Sequence, residues 1–147
     1  MSISKKQYKQ MVKDETTKSP MIKNIALAFL SGGIICVIAQ VIFNTLIHYN
    51  INSKYAASYT TVIMIFLGAL FTGIGVYDKL AKHCGAGTIV PITGFANSIV
   101  APAMEYKSEG LIMGIGAKMF IVAGPVLVYG ITASVIYGVI YYISLLY

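Results

Sequence analysis

The chain has 147 residues, 57% of them hydrophobic and 11% charged, and a mean hydropathy of +0.76. Soluble domains carry about 25% charged residues, so a soluble fold would leave apolar surface uncovered and the composition specifies an integral membrane protein. The net charge of +6 is a surplus of lysine without arginine; nucleic-acid recognition recruits arginine for bidentate contacts, so the charge points to an anionic membrane surface, with no nucleic acid as partner.

Eight of the sixteen charged residues fall in the first 23 positions. Residues 1–23 read as a basic cytoplasmic tail, with Lys5, Lys6, Lys9, Lys13, Lys18 and Lys23 against Asp14 and Glu15. Tyr8, Met11 and Val12 give it a weak apolar stripe suited to the membrane surface. A signal peptide fits poorly, because the apolar run starts only after this tail and lasts for a full span. Residues 24–147 read as a single membrane domain. Its first span is predicted over about 25–49, with Ser31, Gly32 and Gly33 permitting close helix approach. Gln40 and Asn44 share a face of that span at i, i+4. A loop with Lys54, Tyr49, Tyr55 and Tyr59 suits a headgroup interface. The second span is predicted over about 58–77, where Ala69 and Gly73 form a small-residue face. The tail has six lysines and the 77–84 loop two, against one in the 50–57 loop, so the positive-inside rule puts the tail and the second loop in the cytoplasm.

The next stretch, Gly85–Met104, holds twenty residues without a charge, the length of a spanning helix. It also contains Gly85, Gly87, Gly94, Pro91 and Pro102, which a plain span has little reason to carry. A polar hinge, Glu105–Glu109, follows. Residues 110–147 would make one helix of about 57 Å against a hydrocarbon core near 30 Å, so a break is expected at Ala123-Gly124-Pro125. That gives a second broken segment, 110–123, and a final span of about 125–146. Gly110 and Gly114 share a helical face with Lys118; Gly130, Ser134 and Gly138 share one on the final span. All five small residues read as helix-packing positions. The fold class is all-α membrane protein, with three or four transmembrane or re-entrant elements, a Gly/Pro-broken centre and a short basic tail.

Cys36 and Cys84 make no disulfide framework, and His48 and His83 stand alone. No catalytic set, metal site or cofactor is expected, and the chain reads as no enzyme. Non-helical backbone survives at membrane depth only when buried in protein or lining a watery cavity, and Gly/Pro-interrupted apolar segments point to transport sites. Gly85, Gly87, Pro91, Gly94, Pro102, Gly124 and Pro125 are the backbone-shaping residues. Two readings stand: half-helix ends aimed at a solute, or kinks in a tightly packed helix. Lys118 has two readings as well, attraction of an anion or snorkelling to an interface. Thr93, Asn97 and Ser98 add hydrogen-bonding groups to the solute-path candidates, and Gln40 is a weaker one. The residues themselves imply a small polar, anionic solute and nothing narrower. Small-residue faces on three helices indicate homo- or hetero-oligomeric assembly within lipid.

The run GAGTIVPITGFANSIVAPAMEYKSEGLIMGIGAKMF, followed by AGPVLVYG, resembles the SpoVA membrane proteins of endospore-forming bacteria, over about residues 5–145. The tail and the EYKSEG hinge are more similar to AC-type members than to AE-type ones. The resemblance implies a subunit of a channel or transporter complex moving dipicolinic acid (pyridine-2,6-dicarboxylic acid), often with calcium. Transport would cross the spore inner (forespore) membrane in sporulation and germination, with SpoVA subunits of AD and AE types as partners. The alternative is a non-conducting scaffold anchoring cytoplasmic partners of that complex.

Overall fold

The computed structural model describes Lys5, Tyr8, Met11, Val12 and residues 20–146. The rest of the expected tail, and Tyr147, lie outside the described residues. Two long helices come first, α1 (Met21–His48) and α2 (Ser53–Gly73), each long and apolar enough to cross a membrane. Local turn chemistry sets their ends. Asn50 takes φ 60°, its N–H donates to the Ile47 carbonyl at 2.9 Å, and the Ile51 N–H donates to Leu46 at 3.2 Å, closing α1 with a Schellman motif. Asn52 then caps α2 by accepting from the Lys54 N–H at 3.0 Å, so the helix starts at Ser53 instead of near 58; hydropathy does not register a cap. A second Schellman motif, with Gly75 at φ 71° and bonds Gly75→Thr72 and Val76→Phe71 at 2.9 and 3.0 Å, ends α2 at Gly73 instead of Tyr77.

α2 buries every fourth residue, Ala56, Thr60, Met64, Gly68 and Thr72, one i, i+4 ridge. The Thr60 and Thr72 hydroxyls donate to the carbonyls of Ala56 and Gly68 at 2.8 and 2.7 Å, which leaves their methyl faces for packing. The expected Ala69–Gly73 face is therefore displaced by one residue. Gly73 borders open space, whereas a Cβ on Gly68 would stand 2.8 Å from the Thr93 carbonyl oxygen.

Three shorter helices follow: α3 (Tyr77–Cys84), α4 (Ala86–Ile89) and α5 (Ile92–Glu105). Gly85, at φ 51°, turns the chain between α3 and α4. Gly87 then packs on Ala28, Ser31 and Gly32 of α1, where a methyl would overlap Ala28 and Ser31 oxygens. Along α5, Thr93 meets Gly68, Asn97 meets Thr72, and Ala101 and Glu105 border a groove with Gly75 and Asp78. Sequence number rises together on α2 and α5, so they run parallel, and α5 returns to the end where α3 began. With 14 residues, α5 is about 21 Å long, too short for a core of about 30 Å. Of the forms the sequence leaves open, residues 77–105 adopt the re-entrant one, with its tip at Val90–Pro91. Pro91, at ψ 161°, starts α5 from extended backbone. Gly94 permits the tip to fold on itself, since a methyl there would overlap the Thr88 and Ile89 carbonyl oxygens. Pro102 lies inside α5 without ending it.

A 3₁₀ turn (Tyr106–Glu109), Gly110 and a π-helical turn (Leu111–Gly116) lead into α6 (Phe120–Leu146). The expected break at Ala123-Gly124-Pro125 is absent, because α6 runs through Pro125. A proline removes one N–H and bends a helix; the real interruption lies at Gly110, whose φ of 95° ends helical geometry outright. Gly110 thus serves a turn, with open space around it, and does not share a helical face with Gly114 and Lys118. Gly114 is buried on the hinge, where a methyl would overlap the Tyr106 carbonyl oxygen. Leu111–Leu145 together has membrane-crossing length. Ala123 is fully buried, but every described residue from Val126 onward is exposed. Gly130 and Gly138 face open space, and the Ser134 hydroxyl donates to its own helix at Gly130, so this small-residue face has no partner within one chain.

Candidate functional site

The re-entrant hairpin is fastened to α2 and α3 by a seam of neutral polar side chains. Tyr77, buried at the start of α3, donates its phenol proton to the Thr88 carbonyl at 2.7 Å, and its oxygen lies 3.0 Å from the Thr93 hydroxyl. A phenol has one proton, so with that proton on Thr88 the Thr93 hydroxyl is the donor to Tyr77. Burial raises the Tyr77 pKa above the ordinary 10.0, opposed by the Thr93 bond, and the ring stays neutral at physiological pH. The Thr88 hydroxyl donates to the Gly85 carbonyl at 2.9 Å, bracing the turn that Gly85 makes.

One turn further along α5, Asn97 meets Thr72. The Thr72 hydroxyl stands 2.7 Å from the Gly68 carbonyl and 2.9 Å from Asn97 Oδ1. A single proton serves one of these at a time; turning the carboxamide over presents Nδ2–H to Thr72 and makes both bonds. Among the described residues no buried side-chain polar atom lacks a partner. In hydrocarbon each such interhelical bond is worth about 0.6–2 kcal/mol, so two bridges and the Gly68–Thr93 contact hold a segment that has little apolar core to rely on.

The structure brings together Thr93 and Asn97 and leaves the other path candidates elsewhere. Ser98 is half-buried, and its hydroxyl donates to the Phe95 carbonyl of its own helix at 2.8 Å. Lys118 sits at the hinge, its Nζ 4.7 Å from the Tyr106 ring centroid, a cation–π distance. Gln40 is exposed on α1 and donates to Asn44 Oδ1 at 2.9 Å. Thr72, Tyr77 and Thr88 complete the seam and are missed by sequence reading. Thr72 had a signal in the four-residue ridge of α2; Tyr77 had none, because its partners lie 11 and 16 positions away. Beside the seam a cavity of about 410 Å³ opens between α1, α2 and the hairpin. Hydroxyls, carbonyls, the Cys84 thiol and carbon line this region, an arrangement able to hold an irregular membrane segment in place.

The sequence profile of the SpoVAC/SpoVAEB sporulation membrane proteins matches residues 24–140, which take in most of α1, all of α2 and the hairpin, and most of α6. Stage V sporulation protein AC of Bacillus subtilis (strain 168) is 45% identical over 141 residues, covering 95% of this chain and 94% of that protein. No solved structure matches. The chain belongs to the SpoVAC/SpoVAEB family of sporulation membrane proteins.

Proposed function

We propose that this SpoVA-family chain is a membrane subunit of a channel or transporter complex that moves dipicolinic acid, with or without Ca²⁺, across the spore inner membrane in sporulation and germination. The observation that carries the reading is the exposed tip of the hairpin. Gly87 packs beside Gly32, eleven residues and about 16 Å along α1 from Met21, inside the stretch of α1 that is long and apolar enough to cross a membrane. At that depth Ile89 and Val90 are 70% and 84% exposed, next to backbone that is not helical at Pro91. Such backbone is costly against lipid and tolerable against another subunit or a watery path. The reading supplies both: neighbouring membrane SpoVA subunits, of AE type or further copies of this chain, around a path that the tip faces, with the AD type as a soluble partner of the complex. Lys118, held at the hinge, places a positive charge where a dicarboxylate would enter. Energy for uphill movement comes from a gradient or another subunit.

The rival is a non-conducting scaffold that anchors cytoplasmic partners, to which the open face of α6 is equally suited. Pro91→Leu with Gly94→Ala separates them, because the pair favours helix through the tip and crowds the Thr88 and Ile89 carbonyls. Co-reconstituted with its SpoVA partners in dipicolinate-loaded liposomes, the double variant is expected to assemble at normal abundance and lose most solute release. Unchanged release would overturn the transport role of the hairpin.

A further inference from the structure

Two hollows adjoin at Cys84, and their chemistries are stacked in the order of a phospholipid. The outer one, about 620 Å³, lies beside Met21, Asn24 and Ala28 of α1 and is bordered by Lys82 and His83. The inner one, about 410 Å³, is walled almost entirely by carbon, from Ile34, Ile38, Leu67 and Phe71 among others. Cys84 borders both. From Asn24 to Ile38 is fourteen residues, about 21 Å of helix. Half of a bilayer of about 40–45 Å, headgroups included, is about 20–22 Å. The two hollows together therefore have the depth of one leaflet.

The contents of each follow from its walls. Water in the inner hollow would find too few polar partners, and a dicarboxylate would be stripped of water without a counter-charge. A hydrocarbon chain loses nothing there. At the outer hollow Lys82 and His83 are exposed beside the turn at Gly85, where an anionic headgroup gains from the positive charge. Helix α3 is divided accordingly: Tyr77, Leu80 and Cys84 border the inner hollow, while Asp78, Lys79, Lys82 and His83 are exposed, the pattern of an interfacial helix.

We infer that the groove between α1 and the re-entrant hairpin binds one anionic phospholipid, an acyl chain in the inner hollow and the phosphate against Lys82. The inference does not depend on the solute that the protein moves. The chain contains no tryptophan, so single tryptophans can report on lipid contact. Phe71→Trp places one at the inner hollow, and Val139→Trp places one on the exposed part of α6. The full-length protein is assembled in nanodiscs of phosphatidylcholine with increasing phosphatidylglycerol, either lipid carrying brominated, fluorescence-quenching acyl chains. At Phe71→Trp, brominated phosphatidylglycerol is expected to quench with about a fivefold preference over brominated phosphatidylcholine, and Lys82→Gln should bring the ratio close to one. Val139→Trp should show no preference, and added dipicolinate should change neither signal. Equal quenching by both lipids at Phe71→Trp would overturn the site. So would quenching by neither while Val139→Trp is quenched, since a protein segment would then fill the hollow; so would displacement by dipicolinate. If circular dichroism shows Phe71→Trp misfolded, Ile34→Trp reports from the same hollow and is judged by the same outcomes.

Discussion

Lys118 is the cation whose position carries most consequence. Its Nζ lies 4.7 Å from the Tyr106 ring centroid, and Tyr106 belongs to the polar hinge, so the ammonium sits toward the membrane edge. At the bilayer centre a lysine costs at least about 2.5 kcal/mol; near the edge, with the ring recovering about 0.5–2 kcal/mol, it is tolerable. If the charge guides an anion, Lys118→Arg should keep most dipicolinate accumulation in spores, Lys118→Gln should slow it several-fold, and Lys118→Glu should slow it further. Protein abundance is measured alongside, and normal accumulation in the glutamate variant at wild-type abundance would end the guiding role. Tyr77 gives a second residue-scale test, through pH. Burial raises its pKa above 10.0, so the folded state holds the phenol proton more tightly than the unfolded chain. That contribution is fully present below about pH 10 and is lost as pH rises through the higher folded value. Tyr77→Phe should cost about 1–2 kcal/mol at neutral pH, because the Thr88 carbonyl and Thr93 hydroxyl lose their partner, and should show a shallower alkaline loss than the parent. Thermal unfolding in detergent across that range checks both; parallel alkaline curves would show that the phenol is not the titrating group.

The hairpin is an element made by close backbone approach, and its glycines differ in what they tolerate. A methyl on Gly87 meets Ser31, the Ala28 carbonyl and the Gly32 nitrogen, whereas one on Gly32 comes only to 3.4 Å of the Gly87 carbonyl oxygen. Gly87→Ala is therefore expected to lift α4 off α1 and lower the melting temperature measurably, while Gly32→Ala should be close to neutral, since alanine favours helix by about 0.5–1 kcal/mol over glycine. Equal destabilisation by the two would mean that the packing is not the one described. The same contrast explains what the sequence can and cannot disclose. Long apolar runs and a charged hinge are local signals, so α1, α2 and the Tyr106–Glu109 turn are legible to within a few residues. Glycine and proline at 85, 87, 91, 94 and 102 mark the centre as irregular. Its re-entrant form depends on Gly87 meeting Gly32 and Thr93 meeting Gly68, and no linear spacing contains those encounters. Pro125 misleads for the opposite reason: a local helix-breaking rule gives way where lipid leaves the backbone no alternative to its own hydrogen bonds.

At the scale of the molecule, the hairpin changes how the chain's crossings are counted. α1, α2 and the Leu111–Leu145 unit are each long and apolar enough to cross, and residues 77–105 return to the end from which they start, so three crossings put the start of α1 and the end of α6 on opposite sides. Among the described residues within 20–146, Lys23, Lys79, Lys82, Lys107 and Lys118 gather at the hinge end, and Lys54 is the lysine at the other. By the positive-inside rule the hinge is expected in the cytoplasm together with α3. Single cysteines, on a background with Cys36 and Cys84 replaced, make this testable in intact cells with a membrane-impermeant thiol reagent. Ser108→Cys should be shielded, and Asn52→Cys and Ser144→Cys should react; all three positions are exposed. The pattern separates two errors. If residues 85–104 crossed the bilayer, Ser108 would pass to the outside, Ser144 would pass to the inside, and Ser108→Cys would label together with Asn52→Cys. If the whole orientation were reversed, Ser108→Cys alone would react. Either result is incompatible with a hairpin that opens to the cytoplasm, and only the first removes the re-entrant fold itself.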